Sequence, residues 1–425
     1  MSSTAQSRRA EATRALRPGH QLVLLKGGAA FFDALVLAVD GARAEVMLET
    51  YIFEFAGAPI RVAEALERAA IRGVTVRVVV DGIGTGEIPD EWSRRWQAAG
   101  VRWRVFNPAR GWRVLLPPRW RRLHRKLCVV DASICFCGGI NLIDDYIDTT
   151  HGELDKPRFD FAVRATGPLV EDAHETMTRL WLRLRVSREA SQIDFKAALA
   201  AVRKAARAGT DADDSDLAAG DLSSSPGRSA PGLLAGLVVR DNVRFRKRIE
   251  HFYRYSIAQA RREIVIANAY FVPGVALQRA LLRAAGRGVK ITLLVQGRYE
   301  YFMQHHTSRA MYGVMLEAGI EIIEYAPSFL HAKVAVFDGA VGGLSTVGSS
   351  NLDPLSLLLA REANVFVRDD AFAAELRAHL VDAVKNAGRR VEKSAHGKRP
   401  FVHRSLAWLA YGAMRFALFA TRHRY

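Results

Sequence analysis

Hydrophobic positions along this chain follow two periods in turn, and the sequence of periods is run through twice. Residues 44–57, AEVMLETYIFEFAG, and 263–274, EIVIANAYFVPG, are β-rich runs that each close on a glycine. Each leads into apolar residues near helical period, PIRVAEALERAAIRG in one case and VALQRALLRAAGRG in the other. The strands VTVRVVVDG and VKITLLVQG come next, then a helix, then GVRWRVF and GIEIIEY. A β-rich segment, RFDFAVRATG or REANVFVRDD, and a helix over 167–186 or 370–387 close each copy. Strands alternating with helices in this order predict parallel βαβ units in each half. The expected fold is therefore α/β, built from two tandem repeats packed as a pseudo-twofold pair.

Composition divides the chain further. The stretch AARAGTDADDSDLAAGDLSSSPGRSAPG is small, polar and Pro/Gly-rich, so it has too little apolar surface to form a core. The expected divisions are a first repeat over 1–190, a helix end and flexible linker over 191–235, a second repeat over 236–387, and a basic amphipathic tail over 388–425.

Between the helices and the closing segments each copy carries one polar pattern on an apolar strand. RLHRKLCVVD holds His124, Lys126 and Asp131; FLHAKVAVFD holds His331, Lys333 and Asp338. Side chains alternate across a strand, so His124 shares a face with Lys126, and His331 with Lys333. An imidazole beside a fixed ammonium suits a phosphodiester: the ammonium neutralises charge on the phosphoryl oxygens while the imidazole attacks or moves a proton. Asp131 and Asp338 stand at an odd offset from the lysines, which turns them toward the other face and a role in setting a turn. GGIN, ending at Asn141, and GSSN, with Ser349 and ending at Asn351, then supply close backbone approach and hydrogen-bond donors for phosphate oxygens. Asp160 and Glu362 begin the closing segments. Each either orients the histidine of its own half or is an ordinary charged residue at a strand entrance. Two matched copies imply one site at the junction of the halves.

At these residues the sequence resembles the phospholipase D superfamily with its twin HKD motifs, over about residues 20 to 387. ETYIF, DGIG, FNP, RRLHRK, GGIN, GRYEYF and GSSNLDPLSL are similar to bacterial cardiolipin synthases, in the short form without paired N-terminal membrane helices. The resemblance implies a phosphatidyltransferase: one phosphatidylglycerol gives its phosphatidyl group to a histidine, and a second takes it, yielding cardiolipin and glycerol with no cofactor and no metal. By position it assigns the HKD residues His124, Lys126, Asp131, His331, Lys333 and Asp338 to catalysis and Asn141, Asn351 and Ser349 to phosphate binding. Asp160 and Glu362 would orient the histidines. His124 is the expected nucleophile and His331 the acid and base, the reverse remaining open. One departure stands out: six residues separate Asp131 from Gly138, but nine separate Asp338 from Gly348. The extra residues either lengthen a hairpin away from His331 or shift the register and carry Asn351 out of the site.

A formal net charge of +17 favours an anionic partner, an acidic membrane surface or a nucleic acid. The tail RSLAWLAYGAMRFALFATRHRY decides for the membrane. Its apolar run of about seventeen residues is roughly 25 Å of helix, short of a bilayer core, and it is basic at both ends. It either lies on an anionic leaflet or packs on the protein's own core. Arg110, Arg113, Arg119, Arg121 and Arg122 alternate with Trp112, Leu115, Leu116 and Trp120, as suits a loop at the mouth of a lipid site. No secretory signal is read at the N-terminus, and together with the resemblance the expectation is a peripheral enzyme on the cytoplasmic face of a bacterial cell membrane. Phosphatidylglycerol is the expected lipid, with phosphatidylethanolamine a further candidate. Cys128, Cys135 and Cys137 read as core thiols, and His305 and His306 as a solvated helix start. The rival functions are a phospholipase D-type hydrolase, a nucleic-acid phosphodiesterase and a lipid-binding protein with an inactive site.

Overall fold

A computed structural model describes residues 16–108, 121–148, 151–192, 232–241, 245–298, 307–339, 342–353, 360–393 and 412. The first half contains β1 (Arg17–Lys26), α1 (Gly27–Asp40), β2 (Glu45–Thr50), α2 (Ile60–Ile71), β3 (Thr75–Asp81), α3 (Asp90–Ala99) and β4 (Arg102–Phe106). It continues with β5 (Arg122–Leu123), β6 (Lys126–Val130), β7 (Ile134–Gly138), a small hairpin of β8 (Ile147–Asp148) and β9 (Gly152–Glu153), β10 (Phe161–Thr166) and α4 (Leu169–Gln192). The second half repeats the plan with β11 (Leu233–Arg240), α5 (Arg248–Gln259), β12 (Ala260–Asn268), α6 (Val275–Gly286), β13 (Lys290–Gln296), α7 (Tyr312–Glu317) and β14 (Glu321–Tyr325). It closes with β15 (Lys333–Gly339), β16 (Gly342–Gly348), β17 (Ala360–Arg368), α8 (Asp370–Ala387) and β18 (Gly388–Arg390).

The strands join in one continuous sheet in the order β18-β14-β13-β12-β15-β16-β17-β11-β1-β10-β7-β6-β2-β3-β4. Apart from β18 the order reads as mirrored halves meeting at β11 and β1, which pair antiparallel through Arg17↔Ala235 and His20↔Leu233. Along this order parallel pairing is confined to the strands linked by helical crossovers, β2-β3-β4 and β12-β13-β14, while β5, off it, runs parallel to β17. The His–Lys strands arrive without such a crossover and turn back in hairpins, so β6 and β15 run antiparallel to β2 and β12. The expected parallel βαβ units are present in each half, and the His–Lys strands add antiparallel hairpins beside them. Strand β11 starts at Leu233, inside the segment read as linker, and β18 pairs with β14 from within the segment read as tail. Residues 193–231, the loop with Trp112 and Trp120, His305 and His306, and the tail from 404 on lie outside the described residues, save Gly412.

Three apolar clusters account for the layers. Helices α1 to α3 cover the outer face of the first half, with Phe32, Leu66 and Trp96 at its centre. Helices α5 to α7 do the same for the second, around Tyr253, Leu281 and Phe337. The inner cluster belongs to both halves: Leu169, Met177 and Leu180 of α4 and Phe372, Leu376 and Leu380 of α8 share it with inward residues of both sheet halves. The closing helices thus hold the halves together. Asp369 caps α8, accepting the Phe372 N–H at 2.8 Å. Cys135 and Cys137 are buried in the inner cluster and Cys128 in the outer one, with burial pushing the Cys135 thiol up to about 12.

Candidate active site

Main-chain pairing across the halves builds the site. Strand β5 runs parallel to the start of β17, pairing Arg122↔Ala360 and Leu123↔Arg361, and the His124 N–H donates to the Arg361 carbonyl at 3.0 Å. The mirrored contact joins Phe159 to Leu330, and the His331 N–H donates to the Phe159 carbonyl at 3.0 Å. Each histidine is thereby set beside the residue that begins the other half's closing strand.

The consequence is that the acids exchange partners. His124 Nδ1 lies 3.1 Å from Glu362 Oε2, and His331 Nδ1 lies 2.6 Å from Asp160 Oδ2. The sequence reading paired each acid with the histidine of its own half; the structure pairs each with the histidine of the other. Repeats reveal which residues correspond, but not which copy faces which.

Lys126 and Lys333 are buried on the same strand faces as their histidines. Lys126 Nζ donates to the His124 carbonyl at 2.7 Å, and Lys333 Nζ to the His331 carbonyl. Each ammonium therefore also fixes the loop bearing its own imidazole. Asn141 and Asn351 are buried at the matching places after β7 and β16, and Asn351 Oδ1 has no hydrogen-bond partner among the described residues. Asn141 Oδ1 accepts the Ile52 N–H at 3.3 Å. Ser349 is fully buried and donates its hydroxyl to Glu362 at 2.5 Å, so it supports the acid and is not free to hold phosphate as expected. Gly139 admits a close approach: a Cβ there would stand 2.3 Å from Asp160 Oδ1.

The two motif aspartates are elsewhere. Asp131 and Ala132 turn the β6–β7 hairpin with φ of 48° each, and the Asp131 carboxylate accepts the N–H groups of Arg43, Ala44 and Glu45 at 2.8 to 2.9 Å. Those bonds stabilise a backbone shape that a non-glycine residue adopts at a cost. Asp338 is half-exposed, 3.9 Å from Arg262, on a hairpin whose ladder runs from Val334↔Val347 to Gly339↔Gly342. Both sit at the strand ends remote from the lysines, so neither carboxylate stands beside an imidazole as the catalytic assignment would have it. The extra residues of the second half extend this ladder and leave its register intact near Lys333, so Asn351 keeps its place.

Charge in the cleft is unevenly spread. Burial lowers His124, with Glu362 pulling the other way, and burial together with Lys333 and Lys126 lowers His331 further. Burial and the nearby Lys333 push Lys126 down to about 7. Burial pushes Asp160 up to about 7 against the pull of Lys333. Burial works to raise Glu362 too, but His124, Lys126 and the Ser349 hydroxyl outweigh it and hold this carboxyl below its ordinary value. An anion entering the cleft meets the two lysine side chains and two imidazoles whose protonation burial disfavours. A histidine whose Nδ1–H is given to a carboxylate presents its Nε2 lone pair outward.

A family model described as cardiolipin synthase, phospholipase D-like domain matches residues 35–154 and 253–383, more than half of the chain. The chain belongs to the cardiolipin synthase, phospholipase D-like family. Cardiolipin synthase B of Escherichia coli K12 is 34% identical over 409 residues, covering 94% of this chain and 89% of that protein. Cardiolipin synthase A of Pseudomonas putida GB-1 is 28% identical over 368 residues, covering 87% of this chain and 69% of that protein. The crystal structure of phosphatidylserine synthase from Haemophilus influenzae Rd KW20 shares the fold, with a TM-score of 0.65, 13% identity and coverage of 99% and 98% of the two chains. Within this cardiolipin synthase fold, three contributors near the site escaped the sequence reading. Tyr51 packs its ring 4.9 Å from that of His124, and Arg158 ties down the 144–148 loop through Asp148 at 2.7 Å. Asp81 is buried beneath the His124 strand. The signal for Asp81 was present, since it matches Gln296 in the repeat; Tyr51 and Arg158 have no counterpart in the other half.

Proposed function

We propose that the protein is a cardiolipin synthase that transfers a phosphatidyl group from one phosphatidylglycerol to another. The observation that carries this reading is the pair of His–carboxylate couples exchanged between the halves around two buried ammonium groups. Lys126, Lys333, Asn141 and Asn351 hold the phosphate oxygens. His124 Nε2 attacks phosphorus, a P–N bond forms and the bond from phosphorus to the glycerol oxygen breaks. His331 protonates the departing oxygen. The terminal hydroxyl of a second phosphatidylglycerol then gives His331 its proton and attacks the same phosphorus, releasing His124. The number of phosphodiester bonds is conserved, so no nucleotide is consumed.

The uneven charge supports this division of labour. Glu362, kept ionised, favours the cation that His124 becomes when phosphorylated. The Asp160–His331 couple, with its carboxyl raised toward neutrality, retains a proton that it can deliver. The enzyme acts peripherally on the cytoplasmic face of an anionic membrane; no helix among the described residues is long and apolar enough to cross one.

Purified protein with headgroup-labelled phosphatidylglycerol vesicles tests the proposal. Cardiolipin and glycerol in equal amounts are expected, both lost in His124→Ala and His331→Ala. Phosphatidic acid without cardiolipin would assign a hydrolase, and DNA cleavage without lipid turnover a nuclease.

A further inference from the structure

Strands β3 and β13 end at the same repeat position, in Asp81 and Gln296. Asp81 is fully buried, and its Oδ2 accepts the Leu123 N–H at 2.8 Å. Its Oδ1 accepts the N–H groups of Ile83 at 2.8 Å and Gly84 at 3.2 Å, with Arg122 Nη1 3.7 Å away. Gln296 Oε1 accepts the Leu330 N–H at 3.2 Å and the Arg298 N–H at 3.4 Å. Leu123 and Leu330 are the residues immediately before His124 and His331.

Successive N–H groups of extended backbone point in opposite directions. Each Leu–His pair is therefore held from both sides. The Leu N–H goes to a side chain of its own half's third strand, and the His N–H to a carbonyl of the other half. Neither bond belongs to a sheet ladder of β3 or β13, whose pairings with β2 and β4, or β12 and β14, are complete without them. A buried carboxylate is costly, and burial raises Asp81 accordingly. Gln296 makes the equivalent bond without charge, so that bond alone does not account for an acid at 81. The charge faces Arg122, whose Nη1 lies 3.7 Å from Asp81 Oδ1, and the two further N–H groups that Oδ1 accepts.

We infer that Asp81 and Gln296 are a matched pair of positioning residues, each fixing the main chain at the root of one active-site imidazole. This rests on the phosphatidyl-transfer reading for the work of His124 and His331. Because the side chains act through the backbone, they alter how well the bound phosphate is attacked more than whether it binds. A small displacement of a reacting group is enough to cost orders of magnitude in rate.

The test is cardiolipin formation by the full chain on phosphatidylglycerol vesicles for wild type, Asp81→Ala and Gln296→Ala. Both variants should lose at least about tenfold in kcat while KM stays within about twofold. A role confined to folding would lower Tm and leave the kcat of the folded enzyme at the wild-type value. If Asp81→Ala does not fold, Gln296→Ala, at an uncharged position, carries the kcat test alone. Wild-type kcat in Gln296→Ala, or in folded Asp81→Ala, overturns the inference. A wild type that forms no cardiolipin strikes the proposed function instead.

Discussion

His124, in the first half of the chain, takes its carboxylate from Glu362, in the second, at 3.1 Å. Asp160 returns the contact to His331 at 2.6 Å. Neither half contains a complete His–acid couple, so the site exists only when both halves are folded and joined. The β1–β11 pairing and the inner layer of α4 and α8 are what hold them in register.

Removing either acid while keeping its shape should therefore damage the couple of the opposite half. Glu362→Gln and Asp160→Asn are each expected to reduce kcat by about two to four orders of magnitude, with smaller effects on KM. A double-mutant cycle should show strong non-additivity for His124 with Glu362 and near-additivity for His124 with Asp160, measured as cardiolipin formed per unit time. Ser349→Ala should have a smaller effect of the same kind, acting through Glu362.

Assignment of the nucleophile is open to direct trapping. A phosphatidyl ester with a good leaving group, such as nitrophenol, needs little acid help in the first step. In His331→Ala the acceptor hydroxyl lacks its base, so the phosphatidyl-enzyme should accumulate and be recovered on the peptide containing His124, labile to acid and stable to base. Label on His331 in the mirrored His124→Ala variant, with none on His124 in the first, would exchange the two roles.

The pH dependence follows from Lys126. In the empty site its ammonium is lost near pH 7, so kcat/KM should fall on the alkaline side of about 7. Bound phosphate supplies negative charge and restores the ammonium, so the limb of kcat should lie at higher pH than that of kcat/KM. Coincident limbs would mean that Lys126 does not face the substrate.

Asp160 links the same cleft to stability. Its folded pKa, about 7, stands above its ordinary value, so the folded state holds the proton more tightly than the unfolded. The resulting stability is fully present below the ordinary carboxylate range and is lost as pH rises through about 7. Asp160→Asn, which cannot ionise, should therefore have a higher Tm than wild type at mildly alkaline pH and little advantage in acid, by thermal denaturation. This is the pattern expected where a buried charge serves chemistry at the expense of stability.

How far the sequence discloses this arrangement depends on the kind of information involved. Internal repetition exposes correspondence, so the His–Lys strands, the Asn turns and the helical layers are all legible in the residues alone. Partner choice is a long-range property, and nothing local to Asp160 or Glu362 tells which histidine each meets. The joining strands β1 and β11 are short apolar runs, and the second of them is masked by the linker composition around 205–235. The motif aspartates illustrate the reverse case: the odd offset from the lysines already turned Asp131 toward its hairpin, despite its membership of the motif.

The clearest asymmetry between the halves lies directly between His124 and Lys126. Arg125 and Glu49, each 1% exposed, form a two-pronged ion pair beneath the strand, and Arg125 also reaches the Thr176 carbonyl of α4 at 3.4 Å. The matching positions of the second half are Ala332 and Ala267, both fully buried. Breaking a buried pair from one side leaves an uncompensated charge, so Arg125→Ala and Glu49→Ala should each cost about 3 to 5 kcal/mol in denaturant unfolding. The double variant reproduces the alanine pair that the second half already tolerates and strands no charge. It leaves a cavity, which has its own cost, but its loss should lie near that of the worse single change and well below the sum of the two. Additive losses would show that the pair acts as two independent packing elements and not as a neutralised unit under the His124 strand.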